Sequence, residues 1–226
     1  MSMLDLSGKT ILLYGSGTGI DQAIAERLKE CQAEIVFLNQ EDITLVESEI
    51  RTVIASSGPF DGFVFSIVHS DFRPLQYVKP ELVSGILKDN YGLFIESMRI
   101  LRKAKGLKDG SSVVTMSSIS SIRAMKAKMA FCSAKAALDA AVRCLAVELA
   151  EKRIRVNTIQ KGVVDLDFEK GHIQDIATIN DHSAEKSSPL GITKATEIAN
   201  MVAFLLSDAV PTMTGSSIVI DGGYSL

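Results

Sequence analysis

Apolar and polar positions along the chain follow two alternating rhythms. Continuous apolar, β-branched runs of strand length recur at 10–14 (TILLY), 33–38 (AEIVFL), 61–68 (DGFVFSIV), 112–116 (SVVTM) and 154–159 (IRVNTI), with a last one inside 214–223 (TGSSIVIDGG). Between them apolar residues return every three or four positions. Ile20, Ile24, Leu28 and Cys31 form one such set; Val46, Ile50, Val53 and Ile54 form the next; Val83, Leu87, Tyr91, Phe94, Met98 and Leu101 form a third. An alanine-rich helical pattern spans 131–151 and another spans 196–206. The first rhythm is that of buried strands and the second that of amphipathic helices. Ser57-Gly58-Pro59 stops a helix. Pro80 suits a first helical position, and Thr44-Leu-Val-Glu47 reads as a capping box that starts a helix at Thr44. Strands and helices alternate throughout, which predicts an α/β fold: a doubly wound, mainly parallel sheet with helices on both faces. No internal repeat interrupts the pattern, so 1–226 reads as a single domain. The polar, irregular stretch at 165–190 suits a substrate lid.

Composition narrows this picture. At 226 residues, with 46% hydrophobic and 23% charged residues, the chain can bury a substantial core. A net charge of −3 argues against nucleic-acid binding. The cluster Arg99, Arg102, Lys103, Lys105 and Lys108 falls at the end of a predicted helix, where cations complement the macrodipole. Cys31, Cys132 and Cys144 lack metal-ligand spacing and read as small apolar residues in helices. The N-terminus shows no secretion signal and no apolar run is long enough to span a bilayer, so the expected setting is cytoplasmic and reducing, without a membrane partner.

Two stretches carry candidate chemistry. In the first, a strand runs into Gly15-Ser16-Gly17-Thr18-Gly19-Ile20-Asp21 and then a helix. Glycines allow close backbone approach, and a helix N-terminus offers free N–H groups to a phosphate. A tight turn accounts for Gly15 and Gly19 equally well. In the second, a buried strand ends in Ser117-Ser118, and thirteen positions after Ser118 comes Phe131-Cys-Ser-Ala-Lys135 at the start of a long helix.

Together these stretches resemble the short-chain dehydrogenase/reductase family, and the C-terminal Thr214–Gly223 section resembles its 3-oxoacyl-[acyl-carrier-protein] reductase branch. The resemblance covers essentially the whole chain and implies a Rossmann-type fold. It implies NAD or NADP as cofactor, at Gly15, Ser16, Gly17, Gly19 and Ile20 for the phosphates. Asn39, Asp42 and Ile43 would lie on the adenosine side, with Lys135 and Gly162 on the nicotinamide side. It implies catalytic positions at Ser118, Lys135 and Asn90, with Phe131 in place of the tyrosine. A small-molecule carbonyl or alcohol would be the substrate. A homodimer or homotetramer would form through helices 80–105 and 131–151.

Several residues depart from the family pattern. Tyr14 replaces a threonine and Asp21 the last glycine of the phosphate turn. A carboxylate there would repel a pyrophosphate and compete for its N–H groups. Asn39, Gln40 and Glu41 select neither NAD nor NADP. Asp42-Ile43-Thr44 follows the second strand almost directly, which implies that one edge strand and one helix are missing between Leu38 and Asp42. Phe65-Ser66-Ile67-Val68 stands where the family has Asn-Asn-Ala-Gly. Lys161-Gly162 keeps a glycine and loses a proline, and Leu166 occupies a threonine position.

The family tyrosine protonates the nascent alkoxide, aided by the lysine, while the serine holds the substrate oxygen and the asparagine a relay water. Phe131 has the ring without the O–H. Loss of a positioned general acid lowers the rate by about 10²–10⁴, or roughly 3–5 kcal/mol of barrier. Ser133 lies two positions on and should face another side of the helix. His69 is better placed as a substitute acid, although a loop histidine is usually solvated. Lys161, His172 and His182 read as solvated. Three readings stand at this point: an oxidoreductase with impaired proton delivery; a non-catalytic member acting as a structural or regulatory partner with weak or no nucleotide binding; and a lyase, isomerase or dehydratase using Asp165, Asp167 or His172.

Overall fold

The computed structural model describes residues 4–17, 19–166 and 188–226. Six strands form one parallel sheet: β1 (Thr10–Tyr14), β2 (Glu34–Leu38), β3 (Phe60–Phe65), β4 (Leu107–Ser118), β5 (Arg155–Lys161) and β6 (Ser217–Ile220). Their spatial order is β2-β1-β3-β4-β5-β6. The reversal beside β1 is the switch point of a doubly wound sheet, and ligands of such sheets bind beyond the carboxyl ends of the strands there.

Helices α1 (Ile20–Glu30), α2 (Val46–Ser57), α3 (Pro80–Leu87), α4 (Leu93–Lys103), α5 (Met129–Glu148) and α6 (Ala195–Leu206) cover the sheet. Side chains alternate along each strand, so each strand feeds two cores. Leu12, Phe63, Phe65, Val113 and Val156 pack under Val46 and Ile50 of α2, Leu93, Phe94 and Met98 of α4, and Leu138 and Val142 of α5. Ile11, Leu13, Val64, Val114 and Ile159 pack under Ile24 and Leu28 of α1 and Ile198 and Val202 of α6. The expected helices on both faces are therefore present.

Among the described residues β2 is an edge of the sheet, and the chain passes from it to α2 through residues 39–45 alone. The inferred loss of an edge strand and a helix is visible here. The capping box is not. Thr44 turns its hydroxyl and its N–H to Asp42 Oδ1, at 2.8 and 2.9 Å, and α2 begins only at Val46 without a side-chain cap. Asp42 captured the threonine locally before the helix could use it.

The long helical pattern after Pro80 is broken in one place. Lys88–Gly92 is a π-helical turn between α3 and α4. Such turns are rare and collect at functional sites. The basic cluster behaves as expected: Arg102 and Lys103 lie in the last turn of α4, Arg99 pairs with Glu96 and Glu47, and Lys108 pairs with Asp61. Cys31 is buried just past α1, while Cys144 on α5 is exposed and so is not a core residue.

Candidate functional site

The turn after β1 has the backbone of a phosphate cradle. Gly17 and Gly19 have φ of +82° and +56°, conformations that side-chain-bearing residues rarely adopt. Gly15 N–H bonds Leu38 O at 3.1 Å, which fixes the turn to the edge strand. The cradle already holds a carboxylate. Asp21, the second residue of α1, is only 3% exposed. Its Oδ2 accepts from Ser16 Oγ and from Gly17 N–H, each at 3.0 Å, and its Oδ1 accepts a short hydrogen bond from Ser66 Oγ beyond β3. A Cβ on Gly19 would fall 3.1 Å from Leu166 Cδ1, and one on Gly17 would fall 3.3 Å from the Phe37 ring. The leucine in the family's threonine position thus lies over the N-terminus of α1, where Ile20 begins the helix.

The side expected to face adenosine is bridged by side-chain contacts. Asn39 is exposed and donates to Ser16 O at 3.4 Å. Asp42 is exposed and engaged with Thr44, and Ile43 packs against the core near Gly92. Tyr14 is fully buried, edge-on to Phe65 at 5.3 Å, with its O–H donated to Gln40 O. Burial pushes its phenol well above the ordinary tyrosine range, so it stays neutral. His69 Nε2 lies 3.6 Å from Glu41 Oε2. This pair spans from the β2–α2 segment to the segment after β3.

Asn90 lies in the π-helical turn and is fully buried, not a surface residue. Its amide donates to His69 O at 2.7 Å and Ile86 O at 3.0 Å and accepts from His69 N–H at 3.2 Å. It clasps the segment beyond β3 to the start of the π turn. Ser118 ends β4. Its Oγ accepts from Ser120 N–H and lies 3.1 Å from Ser120 Oγ, capping the short turn Ile119–Ser121.

Phe131 is buried with Ile86, Ala130 and Ala134, between α5 and α3. Lys135 follows one turn later and is completely buried. Its Nζ lies 5.6 Å from the Phe131 ring centre and donates to Met116 O at 3.0 Å. Lys128 Nζ lies 5.5 Å from the same ring centre. Burial, with a smaller contribution from the charge of Lys161, brings the Lys135 amine down to about 7, and Asp139 opposes that shift. Ser133 is exposed on the far side of α5, as its spacing required.

Lys161 closes β5 opposite Ser118 of β4 and Ile220 of β6. It is 8% exposed, which corrects the expectation of a solvated lysine: its place in the middle of the sheet buries the stem. Gly162 is needed for packing, since a Cβ there would fall 2.6 Å from Asp221 Cβ. His172, His182, Asp167 and most of the 165–190 lid lie outside the described residues; Asp165 is exposed.

The carboxyl ends of β1, β3, β4 and β5 therefore gather the glycine turn, Asn90, Ser118, Lys135 and Gly162 along one edge of the sheet. Asn39, Asp42 and Ile43 lie on the β2 side of it. A buried amine, a serine hydroxyl and a close-packed glycine at one end are groups that would suit the nicotinamide half of a nucleotide. The phosphate end opposes one, because Gly17 N–H and Ser16 are engaged by an internal carboxylate. The sequence reading singled out Asp21 but not its partner. Ser66, a small polar residue in a segment that borders the same turn, was the available signal.

The molecule also has close relatives in kind. The family model described as enoyl-(acyl carrier protein) reductase matches residues 8–225. A D-erythrulose reductase from Gallus gallus is 29% identical over 250 aligned residues, covering 98% of this chain and 97% of the relative. That alignment is longer than this chain, in keeping with a deletion. A short-chain dehydrogenase family protein from Francisella tularensis superposes with a TM-score of 0.82 at 28% identity, covering 96% of this chain and 98% of the other. A FabI–NADH complex from Alistipes finegoldii superposes with a TM-score of 0.86 at 25% identity, covering 97% and 89%. With a family match over residues 8–225 and a doubly wound parallel sheet to go with it, this chain belongs to the short-chain dehydrogenase/reductase family.

Proposed function

We propose that the chain is a nicotinamide-nucleotide-dependent oxidoreductase that interconverts a small carbonyl compound and its alcohol, with slow proton delivery. The observation that supports this reading is the position of Lys135, fully buried beside the Phe131 ring and bonded to Met116 O two residues before Ser118 ends β4. When bound, the nicotinamide supplies or accepts the hydride. The protein's residues do the rest. Lys135 turns an amine with a lowered pKa toward the sheet end, and a bound ribose would offer it a second acceptor. Ser118, once turned from Ser120, can donate to a substrate oxygen. Phe131 excludes water from one wall of the cleft and gives no proton. The oxygen must then be protonated by solvent or by a weaker donor, which slows the chemical step.

The test restores the missing phenol. Phe131→Tyr should raise the rate of reduction of a small diketone by about 10²-fold or more, at unchanged nucleotide affinity. Equal rates in parent and variant would count against the reading.

A second reading has its own support in the Asp21 carboxylate within the phosphate turn. On it the chain is a non-catalytic family member that binds nucleotide weakly and acts as a structural or regulatory partner. Both readings include self-association through the helical stretch 80–105 (α3 to α4) and α5. Met129, Ser133, Ala136, Ala140, Cys144 and Val147 form one exposed face of α5, with small residues at its middle that permit close helix approach.

A further inference from the structure

We infer that Asp21 and Ser66 set the nucleotide affinity of this site: the Asp21 carboxylate occupies the place of a pyrophosphate, and a dinucleotide has to displace it. The inference rests on the nucleotide-cleft reading above only for the identity of the ligand.

A carboxylate in the first turn of a helix is favourable by itself and ordinarily faces solvent. Asp21 does not. It is 3% exposed and folds back over the turn, with Ser16 Oγ and Gly17 N–H on one oxygen and Ser66 Oγ on the other. Those donors come from two segments, the β1–α1 turn and the residue after β3, which border the phosphate position from two sides. The carboxylate offers them what a phosphate would: anionic oxygens at a helix N-terminus. Phe37 of β2 and Leu166 after β5 cover Gly17 and Gly19 from outside. Four parts of the chain thus converge on one turn, and the anion they enclose is the chain's own. An arriving pyrophosphate meets like charge and loses the Gly17 donor. A ligand without phosphate meets neither obstacle.

The test is a binding titration, independent of turnover, on the full chain and on Asp21→Gly, Asp21→Asn and Ser66→Ala. NADH is followed by its own fluorescence, and ADP-ribose and adenosine by calorimetry. Charge-assisted hydrogen bonds of this kind correspond to about tenfold or more in affinity. NADH and ADP-ribose should therefore tighten at least about tenfold in Asp21→Gly, less in Asp21→Asn and Ser66→Ala, while adenosine stays unchanged. Should the glycine variant fail to fold, the asparagine and serine variants carry the same comparison. NADH affinity unchanged in every folded variant would overturn the inference while leaving the oxidoreductase reading in place. An equal shift for adenosine would also overturn it, since a general loosening of the cleft would act on every ligand. No NADH binding to the parent together with binding to Asp21→Gly would uphold the inference and remove the oxidoreductase reading. No binding to any variant would overturn both.

Discussion

Lys135 is the residue at which sequence and surroundings diverge most in their consequences. An amine with no exposure and a backbone carbonyl for an acceptor is held near 7 by desolvation and by the charge of Lys161. Unfolding returns it to water and its ordinary value of 10.5. Between about pH 7 and 10.5 the unfolded chain then binds a proton that the folded chain does not, so this group makes stability rise with pH across that window. Below about 7 both states carry the proton and the contribution is flat. Urea unfolding from pH 6 to 9 should show stability rising above pH 7 by at most about 1.4 kcal/mol per pH unit relative to Lys135→Met. Parallel profiles for the two proteins would show that the amine stays charged when folded. At this scale the sequence was informative about identity and poor about environment. Phe131, Lys135 and Asp21 stood out through their resemblance to family motif positions. The burial of Asn90 and Lys161, and the approach of Ser66 to Asp21, depend on which neighbours a three-dimensional packing supplies, and no local pattern encodes that.

Among the elements, the π-helical turn at Lys88–Gly92 explains why Asn90 is buried in the middle of a helical stretch. The wider turn shifts the side chain inward, where it pairs with both the N–H and the C=O of His69 in the segment after β3. Asn90→Ala should remove three hydrogen bonds and leave buried backbone groups unpaired. A loss of about 2–3 kcal/mol in urea unfolding is expected, together with faster amide exchange over residues 69–79. A change within 0.5 kcal/mol, the usual range for surface substitutions, would mean that water replaces the asparagine at no penalty. Hydrophobic rhythm located the six strands and the α-helices of the described residues, reading α3 and α4 as one, because burial on two faces leaves a strong apolar signal. It missed ends and interruptions. β4 runs to Ser118 and back to Leu107, and α2 starts at Val46 because Asp42 holds Thr44. The α2 boundary depends on local hydrogen bonds to one side chain, which leave no periodicity.

At the scale of the whole molecule, the missing strand and helix make β2 an edge among the described residues and leave the side proposed for adenosine to Asn39, Asp42 and the Glu41–His69 pair. The opposite side keeps the long helices through which self-association is proposed. Ala140→Arg would place a charged side chain in the middle of the exposed α5 face. Analytical ultracentrifugation should show a dimer or tetramer for the parent and a smaller species for the variant; a monomeric parent would contradict that part of the account. The deletion was legible from the distance between Leu38 and Asp42, since chain length is fixed by sequence, whereas a contact between copies is not. The oxidoreductase reading turns on whether this fold takes a nicotinamide nucleotide. The most direct measurement is titration of the purified parent with NADH and NADPH, read by the fluorescence of the nucleotide. The account predicts saturable binding of at least one of them, weakened by the internal carboxylate. Absence of binding to the parent at millimolar nucleotide would contradict it and leave the chain as a non-catalytic partner built on an enzyme's fold.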